Sequence, residues 1–181
     1  MRPLTVAVTG GIGAGKSEAL KAFARRGVPT LSADEVVHRL IAGDGEVRAA
    51  LEERFGTTDR AEIAAVVFAD QAQLAWLESL LHPRVRRATE QWLAGLDAEV
   101  AVTEIPLLFE TGGQDRFDAV VVVTAPEEIR ADRGEQARDA RGRRLIPDEE
   151  KVARADFAYV NDGTLDELDA FVGEVLERLR A

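Results

Sequence analysis

The sequence predicts an α/β protein with a mainly parallel sheet and helices on both faces. Three observations carry that prediction. Continuous apolar runs, TVAV near the start and AVVVV at 119–123, have the unbroken pattern of strands covered on both sides. Stretches with 3.6-residue apolar spacing follow such runs, as crossover helices do. A glycine-rich octapeptide, GGIGAGKS at 10–17, stands between the first run and the first helical stretch.

Taken in order, LTVAVT (4–9) is β-branched, apolar and closed by Gly10, which describes a buried strand. SEALKAFARRG (17–27) is helical, with Ala19, Leu20 and Phe23 on one side and Gly27 as a stop. VPTLS (28–32) reads as a second strand and ADEVVHRLIAG (33–43) as a second helix. The rhythm then changes. VRAALEERF, AEIAAVVFA, QLAWLESLL and PRVRRATEQWL all have helical spacing with no strand between them, so about 43–96 is expected to be a helical insertion. A helix start is expected at Pro83, whose fixed φ and missing N–H suit a first helical position. Strands return with EVAVTEI (99–105) and DAVVVVTA (118–125), followed by a helix from about Glu127. The arginine-dense 137–156 is expected to be helical and mobile, FAYVN (157–161) a last strand, and TLDELDAFVGEVLERLR a closing amphipathic helix.

Composition bounds the function. The chain has 181 residues, enough for one domain with an insertion. A net charge of −10 disfavours a broad nucleic-acid or membrane surface, so an anionic ligand must be met by local cations and backbone amides. No run approaches the roughly 20 apolar residues of a membrane span. The first residues run directly into a strand and glycine loop and do not read as a targeting segment. With no cysteine there are neither disulfides nor thiolate metal sites, which fits a cytoplasmic protein. A monomer or weak homo-oligomer is expected.

The octapeptide matches G-x-x-x-x-G-K-[ST], the P-loop. Its glycines let successive N–H groups turn inward as an anion nest, and the following helix aims its positive end at the same point. The expected nucleotide-binding residues are Gly11, Gly13, Ala14, Gly15, Lys16, Ser17 and Glu18. Lys16 reaches the β- and γ-phosphates of ATP, and the Ser17 hydroxyl ligates Mg²⁺. No guanine-specifying N-K-x-D motif is present. The short chain and the insertion point instead to a small-molecule kinase, in which the insertion supplies acceptor pockets and excludes water, and binding of both substrates drives closure.

Five blocks in sequence, VTGGIGAGKS, GVPTLSADEVVHRL, LLHPRVR, EIPLLFE and DGTLDEL, together resemble the dephospho-coenzyme A kinase family across essentially the whole chain. The resemblance implies a three-layer P-loop NTPase fold with a helical substrate-binding insertion and a short lid at about 130–147. It also implies transfer of the ATP γ-phosphate to the ribose 3′-hydroxyl of dephospho-CoA, the last step of coenzyme A biosynthesis. Asp34 matches the family aspartate that accepts or orients the acceptor hydroxyl proton. Ser32-Ala33-Asp34-Glu35 also spells a capping box, which would make Asp34 a favourable charge in a first helical turn. Ser32 stands where the family usually has the first acid of D-A-D.

In the lid, Arg141 matches the arginine that neutralises charge on the transferred phosphoryl group, with Arg138, Arg143 and Arg144 nearby. The chain is several residues shorter than the family between Pro126 and Pro147, and Leu145 replaces a usual glutamine. Asn161 begins a turn that lies against adenine in the family, and Thr164 with Glu167 spells a second capping box. Arg84, Arg86 and Arg87 after His82-Pro83 have two readings, a hold on the acceptor's pyrophosphate or a solvated helix face. Glu104 ends a strand where an acid can hold Mg²⁺ through water, and Glu110 is a second such acid. Two other functions stay open at this point: a P-loop kinase for another small phosphate-bearing acceptor, and a protein that binds ATP without transfer.

Overall fold

The computed structural model describes residues 2–130 and 146–181. In chain order these form β1 (Leu4–Gly10), α1 (Lys16–Arg25), β2 (Thr30–Ser32), α2 (Ala33–Gly43), α3 (Gly45–Phe55), α4 (Arg60–Ala69), α5 (Gln71–Ala94), β3 (Val100–Glu104), β4 (Ala119–Thr124), α6 (Asp148–Ala153), β5 (Phe157–Val160) and α7 (Leu165–Arg180). The chain divides into two compact units, one of Met1–Ser32 with Leu96–Ala181 and one of Ala33–Gly95.

The first unit is built on a five-stranded sheet of order β2-β3-β1-β4-β5, with every neighbouring pair parallel. Because side chains alternate across a strand, one run of valines serves two layers. Val6, Val8, Val121 and Val123 face α1 and α7, packing on Ala19, Phe23, Leu168 and Val172. Ala7, Val120 and Val122 face the opposite way, onto Leu108 and Phe109. This is a three-layer α/β sandwich, and its continuous apolar strands are legible because both faces are covered. α7 opens with the capping box the sequence spells: Thr164 accepts from the Glu167 N–H, and the Glu167 carboxylate accepts from the Thr164 N–H.

On the Leu108–Phe109 face lies a buried ion pair. Lys151 on α6 is fully buried, and its Nζ lies 2.8 Å from Oε1 of Glu110, which also accepts the Ile146 N–H. The Lys151 Nζ is not aligned for a directed hydrogen bond, so the pair is a contact of charges. It ties α6 to the turn that follows β3.

The second unit is helical throughout. Asp44, Asp59 and Asp70 cap α3, α4 and α5 in turn, each carboxylate accepting two N–H groups of the first helical turn. Val47, Leu51, Ile63, Val67 and Leu81 form the core, with Trp76 set edge-on to Phe55. Pro83 does not start a helix. It lies inside the 24-residue α5. An interior proline forfeits one hydrogen bond and costs roughly 3 kcal/mol. Leu74, Leu77 and Leu81 on the preceding turns, packed into this core, hold α5 continuous through that gap.

Candidate active site

The loop between β1 and α1 is shaped by contacts that only glycine permits. At Gly10 the backbone passes so close to the carbonyl of Val123 on β4 that any Cβ would overlap it, and φ is +147°. At Gly15, with φ of +96°, a Cβ would collide with the Asn161 side-chain amide. These two glycines lie against β4 and against the turn after β5, which fixes the loop in the concave form that presents N–H groups to an anion.

Asn161 is buried, and its Nδ2 donates to the Ala14 carbonyl at 2.9 Å. That bond clamps the turn after β5 to the loop 147 residues earlier. Lys16 opens α1, and its Nζ donates to the Gly11 carbonyl at 2.9 Å, so the ammonium lies along the loop itself. Gly13, Gly15, Lys16, Ser17, Glu18, Asn161, Gly163 and Leu165 line a single cleft of about 330 Å³. Six of the residues expected to bind nucleotide are therefore brought to one cleft. Gly11 belongs to the same loop, and Ala14 is fully buried and contributes through its backbone. Beside the cleft, hydrogen bonds from the Thr164 backbone N–H and then from its hydroxyl hold the Glu167 carboxyl below its usual 4.5.

One feature of the loop went unread in the sequence. The Arg130 guanidinium lies against Gly11, where a Cβ would come within 2.7 Å of Nη1, and Asp148 at the start of α6 holds that nitrogen at 2.9 Å. Arg130 fell within the expected lid without a role. Its position beside the loop depends on β4, α6 and the segment after Pro126 together, which no local pattern encodes.

At the ends of β2 and β3, the buried Ser32 donates its hydroxyl to Oε2 of Glu104 at 3.1 Å. Ser32 thus directs its hydroxyl to the neighbouring strand, where the sequence alone suggested a cap on α2. Asp34 is an exposed residue in the first turn of α2, and Glu35 follows it there. The Glu110 side chain is largely covered, and its Oε1 is committed to Lys151 and the Ile146 N–H. Of the α5 arginines, Arg84 pairs with Glu46 at 3.1 Å and also donates to the Leu80 carbonyl, whereas Arg86 and Arg87 are exposed. Arg138, Arg141, Arg143 and Arg144, with most of the expected lid, lie outside the described residues.

A parallel sheet of this order with a glycine loop over the first strand is common to many phosphotransferases, so comparison with known proteins narrows the family. Residues 4–167 match the CoaE family model, described as dephospho-CoA kinase. The chain belongs to the dephospho-CoA kinase family. The dephospho-CoA kinase of Mesorhizobium japonicum is 40% identical over 194 residues, spanning 98% of this chain and 97% of that one. The crystal structure of TT1252 from Thermus thermophilus superposes with a TM-score of 0.83 at 34% identity, covering 99% of each chain. A shikimate kinase from Aquifex aeolicus, at 15% identity and a TM-score of 0.53 over 97% of this chain and 96% of its own, shares the fold alone. The family match spans both units, so the helical unit is as much a part of the family's chain as the P-loop unit.

Proposed function

We infer that the chain transfers the γ-phosphate of ATP to the 3′-hydroxyl of dephospho-CoA, giving coenzyme A. The observation that carries this reading is the pairing of a full-length family match with a glycine-shaped phosphate loop whose predicted residues line one cleft. ATP is the donor, held by the loop amides and Lys16. The developing charge of phosphoryl transfer is spread over the transferred group, so catalysis rests on positioning and electrostatic stabilisation.

The roles of individual residues follow from their chemistry. Lys16, now bonded to the Gly11 carbonyl, exchanges that acceptor for the β- and γ-phosphates. Asp34, with an exposed carboxylate at the start of α2, orients the acceptor hydroxyl and takes its proton. Arg141 stabilises the transferring phosphoryl group. Oxygen ligands suit Mg²⁺, which keeps most of its water and binds through one or two protein oxygens plus substrate phosphates. The Ser17 hydroxyl in the cleft is such an oxygen, and the Ser32–Glu104 pair offers a carboxylate for a water-mediated hold. Mg²⁺ screens the phosphate charge when bound. The helical unit Ala33–Gly95 is assigned to the acceptor, and 130–147 to a lid. No described helix is long and apolar enough to cross a membrane, and we assign the protein to the cytoplasm as a monomer or weak homo-oligomer.

Incubation with MgATP and dephospho-CoA, AMP or no acceptor tests the reading. ADP together with a product one phosphate heavier, formed only with dephospho-CoA, is expected. Equal transfer to AMP, or ATP binding without transfer to any acceptor, would overturn it.

A further inference from the structure

Two cations converge on one residue of the phosphate loop. Lys16 Nζ donates to the Gly11 carbonyl at 2.9 Å, and Arg130 Nη1 lies 2.7 Å from where a Cβ of the same glycine would stand. The Arg130 backbone follows the loop further. A Cβ on Gly13 would meet the Arg130 carbonyl at 3.1 Å and its Cα at 3.3 Å. Gly11 and Gly13 thus make room for Arg130, as Gly10 and Gly15 make room for Val123 and Asn161. Like charges repel, so a guanidinium set beside the Lys16 ammonium costs free energy unless an anion lies between or beside them.

Asp148 supplies such an anion, but by a single contact. Arg130 Nη1 donates to its Oδ2 at 2.9 Å, while Arg130 Nε is buried and has no hydrogen-bond partner among the described residues. The favoured guanidinium–carboxylate geometry uses two parallel N–H groups, and this contact uses one. Asp148 is also free to let go. It lies in the first turn of α6, where negative charge is favoured, and its side chain is 23% exposed. Released by Arg130, it would not be a buried unpaired charge. Its two oxygens stand 3.2 and 3.3 Å from the Cβ position of Gly11, so the carboxylate itself opposes a phosphate drawn to that glycine.

We propose that Arg130 binds the terminal phosphate of ATP alongside Lys16, exchanging Asp148 for phosphate oxygens, and that Asp148 sets the donor affinity by competing for the guanidinium. The terminal phosphate is the one within reach, because Lys16 serves the β- and γ-phosphates and Arg130 shares Gly11 with it. Phosphate takes both prongs of the guanidinium where Asp148 takes one, which favours the exchange. The same competition separates donor from product. ADP has no γ-phosphate, so it leaves Arg130 with Asp148 and is held less tightly than ATP. This inference rests on the reading of ATP as the phosphoryl donor.

Calorimetric titration of Arg130→Met, Arg130→Lys and Asp148→Asn with MgATP and with MgADP tests it, with Tm measured for each variant. Losing a charged hydrogen bond to phosphate should raise the Kd for ATP on the order of 10- to 100-fold in Arg130→Met, and Arg130→Lys should recover part of that loss. The Kd for ADP should move by no more than about twofold in both, since ADP leaves Arg130 with Asp148. Asp148→Asn should shift the other way. It removes a competitor and a like charge, so ATP should bind about 3- to 10-fold more tightly. A strut that merely ties the loop to α6 predicts a different pattern: Arg130→Met and Asp148→Asn would weaken ATP and ADP binding alike, with a parallel fall in Tm. That pattern, or an unchanged Kd for ATP in Arg130→Met, overturns the proposal. Because calorimetry needs no acceptor, the two readings fail separately. Wild-type protein that shows these shifts yet transfers phosphate to no acceptor would refute the kinase reading and uphold the Arg130 contact, whereas wild-type protein that binds no ATP would overturn both.

Discussion

In the sheet unit the groups assigned to the nucleotide are mostly backbone, fixed by glycines pressed on Val123 and Asn161. In the helical unit the group assigned to the acceptor, Asp34, is an exposed side chain in the first turn of α2. The first construction tolerates almost no substitution and leaves a sequence signature. The second needs a carboxylate on an exposed helix turn and leaves a weaker one, legible in the SADEVVHRL and LLHPRVR blocks together with the rest of the chain. Triphosphates look alike in every kinase, so one rigid cradle serves them all, whereas acceptors differ and are met by residues that vary at little cost to the fold.

Breaking the cradle should have the largest effect. Lys16→Ala should weaken ATP binding and transfer together, with turnover on dephospho-CoA down at least about 10²-fold, as expected when a preorganised charge on the reacting phosphates is removed. Calorimetric titration with ATP alongside turnover checks both halves. Wild-type turnover in this variant would contradict the assignment.

The next effect is on stability and is confined to the sheet unit. Lys151→Met leaves Glu110 as an uncompensated buried charge, which costs roughly 3–5 kcal/mol. For a chain of this size Tm should fall by about 6–20 °C. Adding Glu110→Leu should return most of the loss, because a buried pair replaced by apolar residues is close to neutral. A double variant no more stable than Lys151→Met would mean that the charge pair is not what the single change disturbs.

Capping sharpens the comparison with smaller numbers. Thr164→Ala in the sheet unit and Asp70→Ala in the helical unit should each cost about 1 kcal/mol in chemical denaturation. A much larger loss for one of them would show that its cap supports more than its own helix.

Acid should act on the sheet unit through a few carboxyls. At Asp118, burial works to raise the pKa, but hydrogen bonds from the Thr5 N–H and hydroxyl, with Arg2, bring it below the usual 3.8. Bonds from Arg26 and then Arg25 lower that of Asp169. A carboxyl depressed in the folded state contributes stability that is present above its unfolded pKa and is lost as pH falls through the folded one. The loss therefore begins near pH 4 and continues below it. Asp118→Asn should flatten that part of the stability curve while leaving the slope above pH 5 unchanged, read from denaturation midpoints at successive pH values.

The strands could be anticipated wherever apolar runs were unbroken, and the P-loop residues were legible because glycine, lysine and serine at fixed spacing have one economical use. The Thr164–Glu167 box was equally plain. Pro83 misled because proline favours a first helical turn as a local preference, while the packing of Leu74, Leu77 and Leu81 decides the matter over a longer range. Ser32 misled for the same reason: its short-range choice was a cap, but Glu104, 72 residues later, takes the hydroxyl. Arg130 beside Gly11 could not be read at all, since its place depends on elements far apart in sequence. The aspartate caps Asp44, Asp59 and Asp70 carried a local signal, an aspartate just ahead of each apolar-periodic stretch, and were open to reading from the sequence.

The central claim is a division of labour, with ATP held by the sheet unit and the acceptor hydroxyl by Asp34 of the helical unit. The most direct test is Asp34→Ala, with ATP affinity measured by calorimetry and turnover on dephospho-CoA measured in the same preparation. The account predicts wild-type ATP affinity and a turnover lower by roughly 10²–10⁴-fold, the range for a positioned proton acceptor. Near-full turnover would contradict it and leave Asp34 as a charge in the first turn of α2, and a parallel loss of ATP affinity would contradict the division itself.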